Sequence, residues 1–358
     1  MHKKEYFVHK NTVQSYRKAL ARYLFSINRA GDILEIMSHC SNLDNFVGDK
    51  VPLDIVNNEF DIVVTLLQDE YLWLKVIDYI DIQDILLYKG IRLSIDSLSD
   101  EGVEIPFNIV CRLVANYIML MTDGVNIKLT EKKNSICLEF ESTVTYPLSK
   151  HHLDAIVLIV HKILYFFGKK TPESISISYR DRKQDSLLYR KYLGAPTENL
   201  SGKTYLGYKP KSYRFNKSFF TLTNEFRTSL KNYAFISPLH SLFIEMSPDV
   251  SYSLQCHHIL ITTMGVIDPT REQVAKVMNM SISSMQRYLK NEGTTFQEIL
   301  LDIRKKLAHK YLIEQRLPPT SVAFLLGYKS SSQFFTAFKG WFQVTPKAYQ
   351  ELNNKNIA

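Results

Sequence analysis

Hydrophobic positions in the C-terminal third of the chain recur at helical spacing and predict two pairs of short helices separated by one longer helix. The first helix of the first pair is predicted to begin with Asp268 as N-cap and Pro269 at the first helical position. Asn279, which tolerates the left-handed conformation, is predicted to end it. The apolar stripe of this helix consists of Val274, Ala275, Val277 and Met278.

The second helix of this pair is predicted to begin after Ser281 and to have one apolar and one polar side. The apolar side carries Ile282, Met285 and Leu289. The polar side carries Ser283, Gln286, Arg287 and Lys290. This is the helix-turn-helix pattern, whose second helix enters the major groove of DNA. Gln can bond adenine and Arg can bond guanine in two-point fashion, while Lys290 is placed for phosphate.

An ordinary surface helix would also expose such polar residues, and that interpretation would be favoured for this helix alone. The two helix pairs, the long helix between them and the charge distribution together favour DNA contact. The long helix is predicted to open at Thr294 or Thr295 and to run to about Gln315. At about 1.5 Å per residue it would span roughly 30 Å, close to the ~34 Å between successive major-groove faces of DNA. Its predicted buried side consists of Phe296, Ile299, Leu300, Ile303, Leu307 and Leu312. Four basic residues keep this helix positive: Arg304, Lys305, Lys306 and Lys310.

The second pair is predicted to start at Pro318, with Gly327 ending its first helix and Ser330 capping its second. The predicted core stripe of that second helix is Phe334, Phe338 and Trp341. Its predicted outer face is Ser331, Ser332, Phe335, Thr336 and Lys339. These residues suit phosphate and thymine-methyl contacts more than base discrimination. Phe335 is ambiguous, because a slight rotation of the helix would bury it.

The front of the chain combines helical and alternating patterns and predicts an α+β domain that ends near residue 215. Residues 11–40 are predicted to form a helical region, in which a first helix has Ile27 on its buried face and stops at Gly31, and a second helix covers 32–39. Further helices are predicted at 54–68, 106–121 and 149–167. The region 80–95 is ambiguous between helix and strand. Alternation at 125–129 and 136–141 predicts a β-hairpin, and 175–179 is a candidate third strand.

Charge is distributed unevenly along the 358 residues, whose net charge is +8. Residues 251–350 hold 12 Lys and Arg against 6 Asp and Glu, and residues 168–235 hold 14 against 5. Residues 1–167 hold 17 against 22. A basic rear half suits a polyanion such as DNA. The segment 168–235 could contact flanking phosphates, although a solvated face or pairing with the acidic front is favoured.

The sequence carries little sign of metal or catalytic chemistry. Four separated cysteines without a CxxC spacing indicate reduced thiols, and neither a signal peptide nor a membrane span is evident, so a cytoplasmic protein is expected. Neighbouring histidines (151–152 and 257–258) lack further ligands at suitable spacing, and packing roles are favoured. No nucleotide-binding, hydrolase or zinc-protease motif occurs, so we expect no enzyme, cofactor or metal; an enzyme domain fused to a DNA-binding domain is the competing class.

The last hundred residues resemble the DNA-binding domain of the AraC/XylS family of bacterial transcription regulators. Matching positions are Ser281, Leu289, Gly293, Phe296, Arg304, Ala308, Leu312, Ala323, Gly327, Tyr328, Phe334, Phe338, Lys339, Thr345, Pro346 and Tyr349. Two positions depart from the family pattern. Gln343 stands where Gly is usual, which puts the local turn in doubt, and Gln350 stands where Arg commonly follows the Tyr, which removes a potential phosphate contact.

The front domain is similar to the arabinose-binding-like domain of one subgroup of these regulators, chiefly at Asp123-Gly124 and from Tyr189 to Pro196. The resemblance implies an effector-binding or dimerisation domain at 1–215, a linker at 216–250, an all-α double helix-turn-helix domain at 251–350 and a tail at 351–358. It implies double-stranded DNA, a small-molecule effector and a second copy of the chain as partners, with RNA polymerase added for an activator. Control by abundance or by a protein partner is the alternative to an effector.

Overall fold

The computed structural model describes residues 6–99, 107–132, 135–142, 148–168, 171–178, 185–195, 197, 203–208, 240–241, 244, 250–266 and 268–354. The chain divides into two compact units, one formed by Met1–Arg92 with Pro106–Asn216 and the other by Leu93–Ile105 with Lys217–Ala358. Most of the predicted linker and much of the basic segment 168–235 lie outside the described residues, as does the end of the predicted tail.

The first unit contains helices that the apolar spacing largely predicted. Their bounds are α1 Lys10–Ser26, α2 Ile33–Ser38, α3 Leu53–Leu67, α4 Leu72–Asp78, α6 Phe107–Met121, α7 Lys150–Gly168 and α8 Asp185–Leu193. A further helix, α5 Leu86–Ser99, belongs to this unit as far as Arg92. The ambiguous region 80–95 is therefore mostly helical. The predicted end of the first helix at Gly31 is wrong, because Asn28 adopts φ 58° and ends α1 earlier, leaving Ile27 40% exposed.

The strands form two antiparallel sheets. Their bounds are β1 Phe7–His9, β2 Lys50–Pro52, β3 Val125–Lys132, β4 Ser135–Ser142, β5 Ser174–Ser176 and β6 Thr204–Tyr208. β1 pairs with β2, and the larger sheet has the order β3-β4-β6-β5. The predicted hairpin is confirmed, with Ile127 opposite Phe140 and Leu129 opposite Leu138. The candidate third strand joins the sheet only through β6, which intervenes between it and the hairpin.

Helix α7 forms the centre of the first unit, where it packs against α3, α4 and α6. Ser149 caps it, since its hydroxyl accepts a hydrogen bond from the His152 amide at 3.1 Å. By length and composition alone α7 could cross a membrane, but 67% of its most apolar window is buried in the protein. It therefore has the character of a core helix, and no other described helix passes that test.

Aromatic side chains fill the core between these helices. The Phe60 ring lies 4.0 Å from the Trp73 ring and 4.5 Å from the His152 ring, and Trp73 donates its indole N–H to the Phe60 carbonyl. The buried Glu59 carboxylate accepts hydrogen bonds from Arg17 and Tyr16. These contacts fix α1, α3, α4 and α7 to one another because buried polar groups are stable only when they are paired.

The second unit is helical throughout its described part, as predicted for the C-terminal segment. Its helices are α9 Tyr252–Thr263, α10 Arg271–Val277, α11 Ile282–Asn291, α12 Phe296–His309, α13 Pro319–Leu325, α14 Ser331–Phe342 and α15 Pro346–Asn354. A π-helical turn, Lys310–Glu314, follows α12. The predicted long helix is therefore regular only to His309, and its last turn is wider than an α-helix.

Candidate nucleic-acid interface

Helices α10 and α11 form the first helix pair, and the residues between them explain its sharp turn. Asn279 adopts φ 53°, as predicted, and the Ser281 hydroxyl accepts from the Ser284 amide at 3.0 Å to cap α11. The predicted cap at Asp268 is wrong. The Thr270 hydroxyl accepts from the Gln273 amide at 3.3 Å instead, which starts α10 two residues later and places Pro269 before the helix.

Helix α11 separates its apolar and polar residues cleanly. Met285 and Leu289 are completely buried against the rest of the unit. The four residues predicted to contact DNA are all exposed and share the opposite side: Ser283, Gln286, Arg287 and Lys290. The Arg287 guanidinium lies 5.2 Å from the Tyr288 ring. The helix thus presents two-point hydrogen-bonding groups and two positive charges to solvent.

Contacts that the sequence did not predict attach α11 to α9. The Tyr288 ring stacks on the Tyr252 ring at 4.3 Å with an interplanar angle of 13°. The Glu292 carboxylate accepts from the backbone amides of Tyr252 at 2.8 Å and Ser253 at 2.7 Å. Burial alone would raise the pKa of Glu292, but the hydrogen bonds from Ser253 and Tyr252 lower it. The negative charge of this carboxylate also interacts favourably with the positive N-terminal end of the α9 helix dipole.

Helix α12 begins as predicted, with the Thr295 hydroxyl accepting from the Glu298 amide at 3.2 Å. Arg304, one of the four basic residues that keep this helix positive, is half-buried. Its Nε donates to the Leu326 carbonyl at 3.0 Å, and its guanidinium lies over the Tyr328 ring. Arg304 therefore connects α12 to the end of α13. Lys306 is exposed, as predicted, and pairs with Asp302 at 2.7 Å.

Helices α13 and α14 form the second pair. The Ser330 hydroxyl accepts from the Gln333 amide at 3.3 Å and caps α14, as predicted. Phe334 and Phe338 are completely buried, whereas Trp341 is only half-buried and lies at the edge of the core. Gly327 adopts φ +75°, and an added Cβ there would lie 2.8 Å from Pro269.

The outer face of α14 is more mixed than that of α11. Ser332, Thr336 and Lys339 are exposed, as is Gln333, which the pattern had not selected. Ser331 is only half-buried rather than fully exposed, and the Thr336 hydroxyl donates to the Ser332 carbonyl at 3.1 Å. Phe335 is exposed as well, at 38%. An apolar ring thus lies among hydroxyl groups on this face.

The two departures from the family pattern have clear structural roles. Gln343 adopts φ 61° and ends α14 in the left-handed conformation that Gly would adopt without strain. Gln350 donates its side-chain amide to the Leu312 and Leu317 carbonyls, each at 3.0 Å. Leu312 belongs to the π-helical turn, whose wider spacing disrupts the regular backbone pairing. Gln350 therefore supplies hydrogen-bond donors to backbone carbonyl groups at the end of the long helix and just after it.

His151 and His152, which were considered as metal ligands, contact polar side chains of α3. Within the part of the chain that the structure describes, no group of three or more His, Cys, Asp or Glu could hold a metal ion. The His151 ring contacts Asp61 at 2.7 Å, and the His152 ring contacts Asn57 at 2.8 Å. Burial raises the pKa of the Cys256 thiol to about 12, so it stays protonated.

Residues 274–352 match a family model described as a helix-turn-helix domain. The C-terminal segment is an AraC-type helix-turn-helix domain. The AraC-type domain is 42% identical over 83 residues to the ornithine utilization regulator of Pseudomonas aeruginosa, covering 23% of this chain and 24% of the relative. It is 33% identical over 101 residues to the transcriptional activator FapR of Escherichia coli, covering 27% of this chain and 39% of the relative.

A third relative is the virulence regulon transcriptional activator VirF of Shigella flexneri, 33% identical over 82 residues that cover 23% of this chain and 31% of VirF. All three are named as regulators, and the AraC-type domain accounts for well under half of each. The crystal structure of the regulator CdpR from Pseudomonas aeruginosa aligns with 93% of this chain and 97% of its own, at 16% identity and a TM-score of 0.39. A score that low does not establish a shared fold.

Proposed function

We propose that this protein is a bacterial transcription regulator that binds promoter DNA in the cytoplasm. The observation that carries the proposal is the division of α11, where Met285 and Leu289 are buried while Gln286, Arg287 and Lys290 are exposed. A helix held by its apolar side against a compact unit can enter a major groove without rearrangement. The AraC-type domain and its relatives, which are named as regulators, support the same conclusion.

Each residue of α11 has a distinct part in the proposed contact. Gln286 and Arg287 contact base edges and select the sequence, with adenine and guanine as their respective partners. Lys290 and Ser283 contact phosphates and fix the position of the helix on the duplex. The second pair adds the hydroxyls of Ser331, Ser332 and Thr336 and the charge of Lys339. The two pairs together form a double helix-turn-helix unit whose long helix α12 separates two successive major-groove contacts.

Selection of bound sequences from random duplex DNA, followed by binding titrations, tests this function. Arg287→Ala should cost about 1–3 kcal/mol at the selected site and relax preference at one base. Lys290→Ala should weaken cognate and random DNA equally and reduce the salt dependence by about one phosphate contact. Lys276→Ala is the matched control, because Lys276 is exposed on α10 and lies outside the proposed recognition helix. Equal loss on both DNAs for Arg287→Ala would reassign Arg287 to phosphate.

Footprinting tests the use of both pairs. Protection of two major-groove faces about one helical turn apart is expected, since that is the spacing a rigid α12 would hold. Protection of a single face would restrict DNA contact to one pair, and absence of binding at low salt would contradict the function as a whole. The second part of the proposal concerns control of this regulator. A small-molecule effector at the first unit, self-association or contact with RNA polymerase provides that control.

A further inference from the structure

An apolar cavity of about 50 Å³ lies inside the first unit. Helices α1, α6 and α7 contribute to its wall, together with β1 and the segment that leads into α5. Ile118, Met121 and Ile156 are buried residues of this wall. Well-packed cores leave few voids larger than a water molecule, so a cavity of this size beside the central helix is a feature that requires an explanation.

One polar side chain in the wall is both buried and incompletely bonded. His152 is 3% exposed, and its Nδ1 lies 2.8 Å from the Asn57 side-chain oxygen, which is not part of the cavity wall. With that oxygen as acceptor, Nδ1 carries the ring proton and Nε2 holds a lone pair. Nε2 has no partner among the described residues. Such an acceptor within an apolar enclosure is an attachment point for a donor group of a ligand.

The surroundings of the ring exclude charge. Burial lowers the pKa of His152 to about 3, so the imidazole is neutral at pH 7. No Asp, Glu, Lys or Arg is among the described residues that line the cavity. A charged ligand group would lose its hydration there without gaining a counter-ion, which is strongly unfavourable. The half-buried Asn11 and Thr12 supply the polar groups nearest to solvent along this wall.

We propose that this cavity binds a small uncharged molecule with an apolar body and one hydrogen-bond donor, such as an aliphatic alcohol, whose donor meets Nε2 of His152. A water molecule occupies about 30 Å³ of liquid volume, and a cavity of about 150 Å³ is enough for benzene. The cavity has about a third of the benzene volume and therefore accepts a molecule about the size of ethanol, and Met121 is the wall residue best able to adjust to a longer one. As the effector site this binding rests on the proposed function, but the binding itself does not depend on DNA.

Two isomers separate the proposed polar contact from simple filling of a void. Ethanol and dimethyl ether have the same composition and similar volume, but only the alcohol can donate a hydrogen bond. In titrations of the full-length protein without DNA, the alcohol should bind about tenfold more tightly, the difference expected for one hydrogen bond. Nitrogen NMR should show a lone pair on His152 Nε2 in the free protein and a shift of that resonance with the alcohol alone.

Two variants locate the site. Ile118→Phe should fill the cavity and abolish the response to ethanol, while the similarly sized Ile118→Leu should retain it. If Ile118→Phe fails to fold, the His152 Nε2 resonance of the natural protein still tests the proposed hydrogen bond to the alcohol. Equal binding of the two isomers, no binding of either, or a protonated Nε2 in the free protein would overturn the proposal. Failure of DNA binding in Arg287→Ala leaves all these readouts unchanged, so the two proposals fail separately.

Discussion

The guanidinium of Arg304 lies 4.4 Å from the centre of the Tyr328 ring. Burial lowers the pKa of Arg304 and raises the pKa of Tyr328, and the contact between the two opposes both changes. Because Arg304 also donates to the Leu326 carbonyl, this one side chain joins the long helix α12 to the turn that precedes α14. The placement of the second helix pair on α12 therefore depends in part on a polar side chain.

Arg304→Lys should destabilise the protein by about 1–3 kcal/mol, because Lys cannot stack as a plane and donate to the carbonyl at the same time. Urea unfolding followed by circular dichroism measures this change. Lys306→Ala is the control, since Lys306 is exposed and its ion pair with Asp302 should contribute no more than about 0.5 kcal/mol. Equal stabilities of the two variants would show that the charge alone matters at position 304.

Phe335 is predicted to contact a thymine methyl group from the exposed face of α14. Phe335→Ala should lower affinity for the selected site about fivefold or more, and replacing thymine by uracil in the DNA should lower the affinity of the natural protein similarly. The variant should be indifferent to that replacement. Leu352→Ala, at another exposed apolar position in α15, should bind both DNAs as the natural protein does. If the affinity lost through Phe335→Ala and the affinity lost through uracil simply add, Phe335 does not contact the thymine methyl group.

Glu292 should make the stability of the second unit dependent on pH. The folded-state pKa of Glu292 is lowered from 4.5, so its stabilising effect is present above that value and disappears as pH falls through the lower folded-state pKa. Thermal unfolding of the natural protein and Glu292→Gln should differ at pH 7 and converge in acid. A difference that persists below the folded-state pKa would assign the effect to packing of the side chain instead.

Gln343→Gly should stabilise the protein by about 0.5–1 kcal/mol, because Gly adopts the positive φ of this position without strain. The loss of the side-chain bond to the Gly340 carbonyl at 3.3 Å should be minor at this exposed site. Gln343→Ala provides the comparison, since Ala removes the same amide but keeps the unfavourable backbone conformation. A rise in melting temperature for both variants would attribute the gain to the side chain rather than to the backbone.

Local signals explain why much of the C-terminal unit was predictable. Ser281 and Ser330 cap helices through contacts within three residues, and Asn279 ends α10 through its own backbone conformation. Local rules were insufficient where two good caps compete. Asp268 and Thr270 both suit the start of α10, and the sequence alone does not show which hydroxyl or carboxylate finds the free amide.

Contacts between distant residues account for the errors. The sequence pattern did not distinguish Arg304 from the other basic residues of α12, and its partner Leu326 lies 22 positions away. The cap that Glu292 forms on α9 spans about 40 residues. Strands β1 and β2 are each three residues long, too short for alternation to reveal them. The exposed faces of α11 and α14 were predicted from periodicity, but which of their residues contact bases stays a prediction.

Strand β6 lies between β4 and β5 although it comes last in the chain. During synthesis, the sheet cannot close until Tyr208 has left the ribosome, and until then β4 exposes an unpaired edge that favours association with other chains. An isolated front fragment should accordingly extend beyond residue 208. Fragments that stop near 200 should aggregate rather than fold.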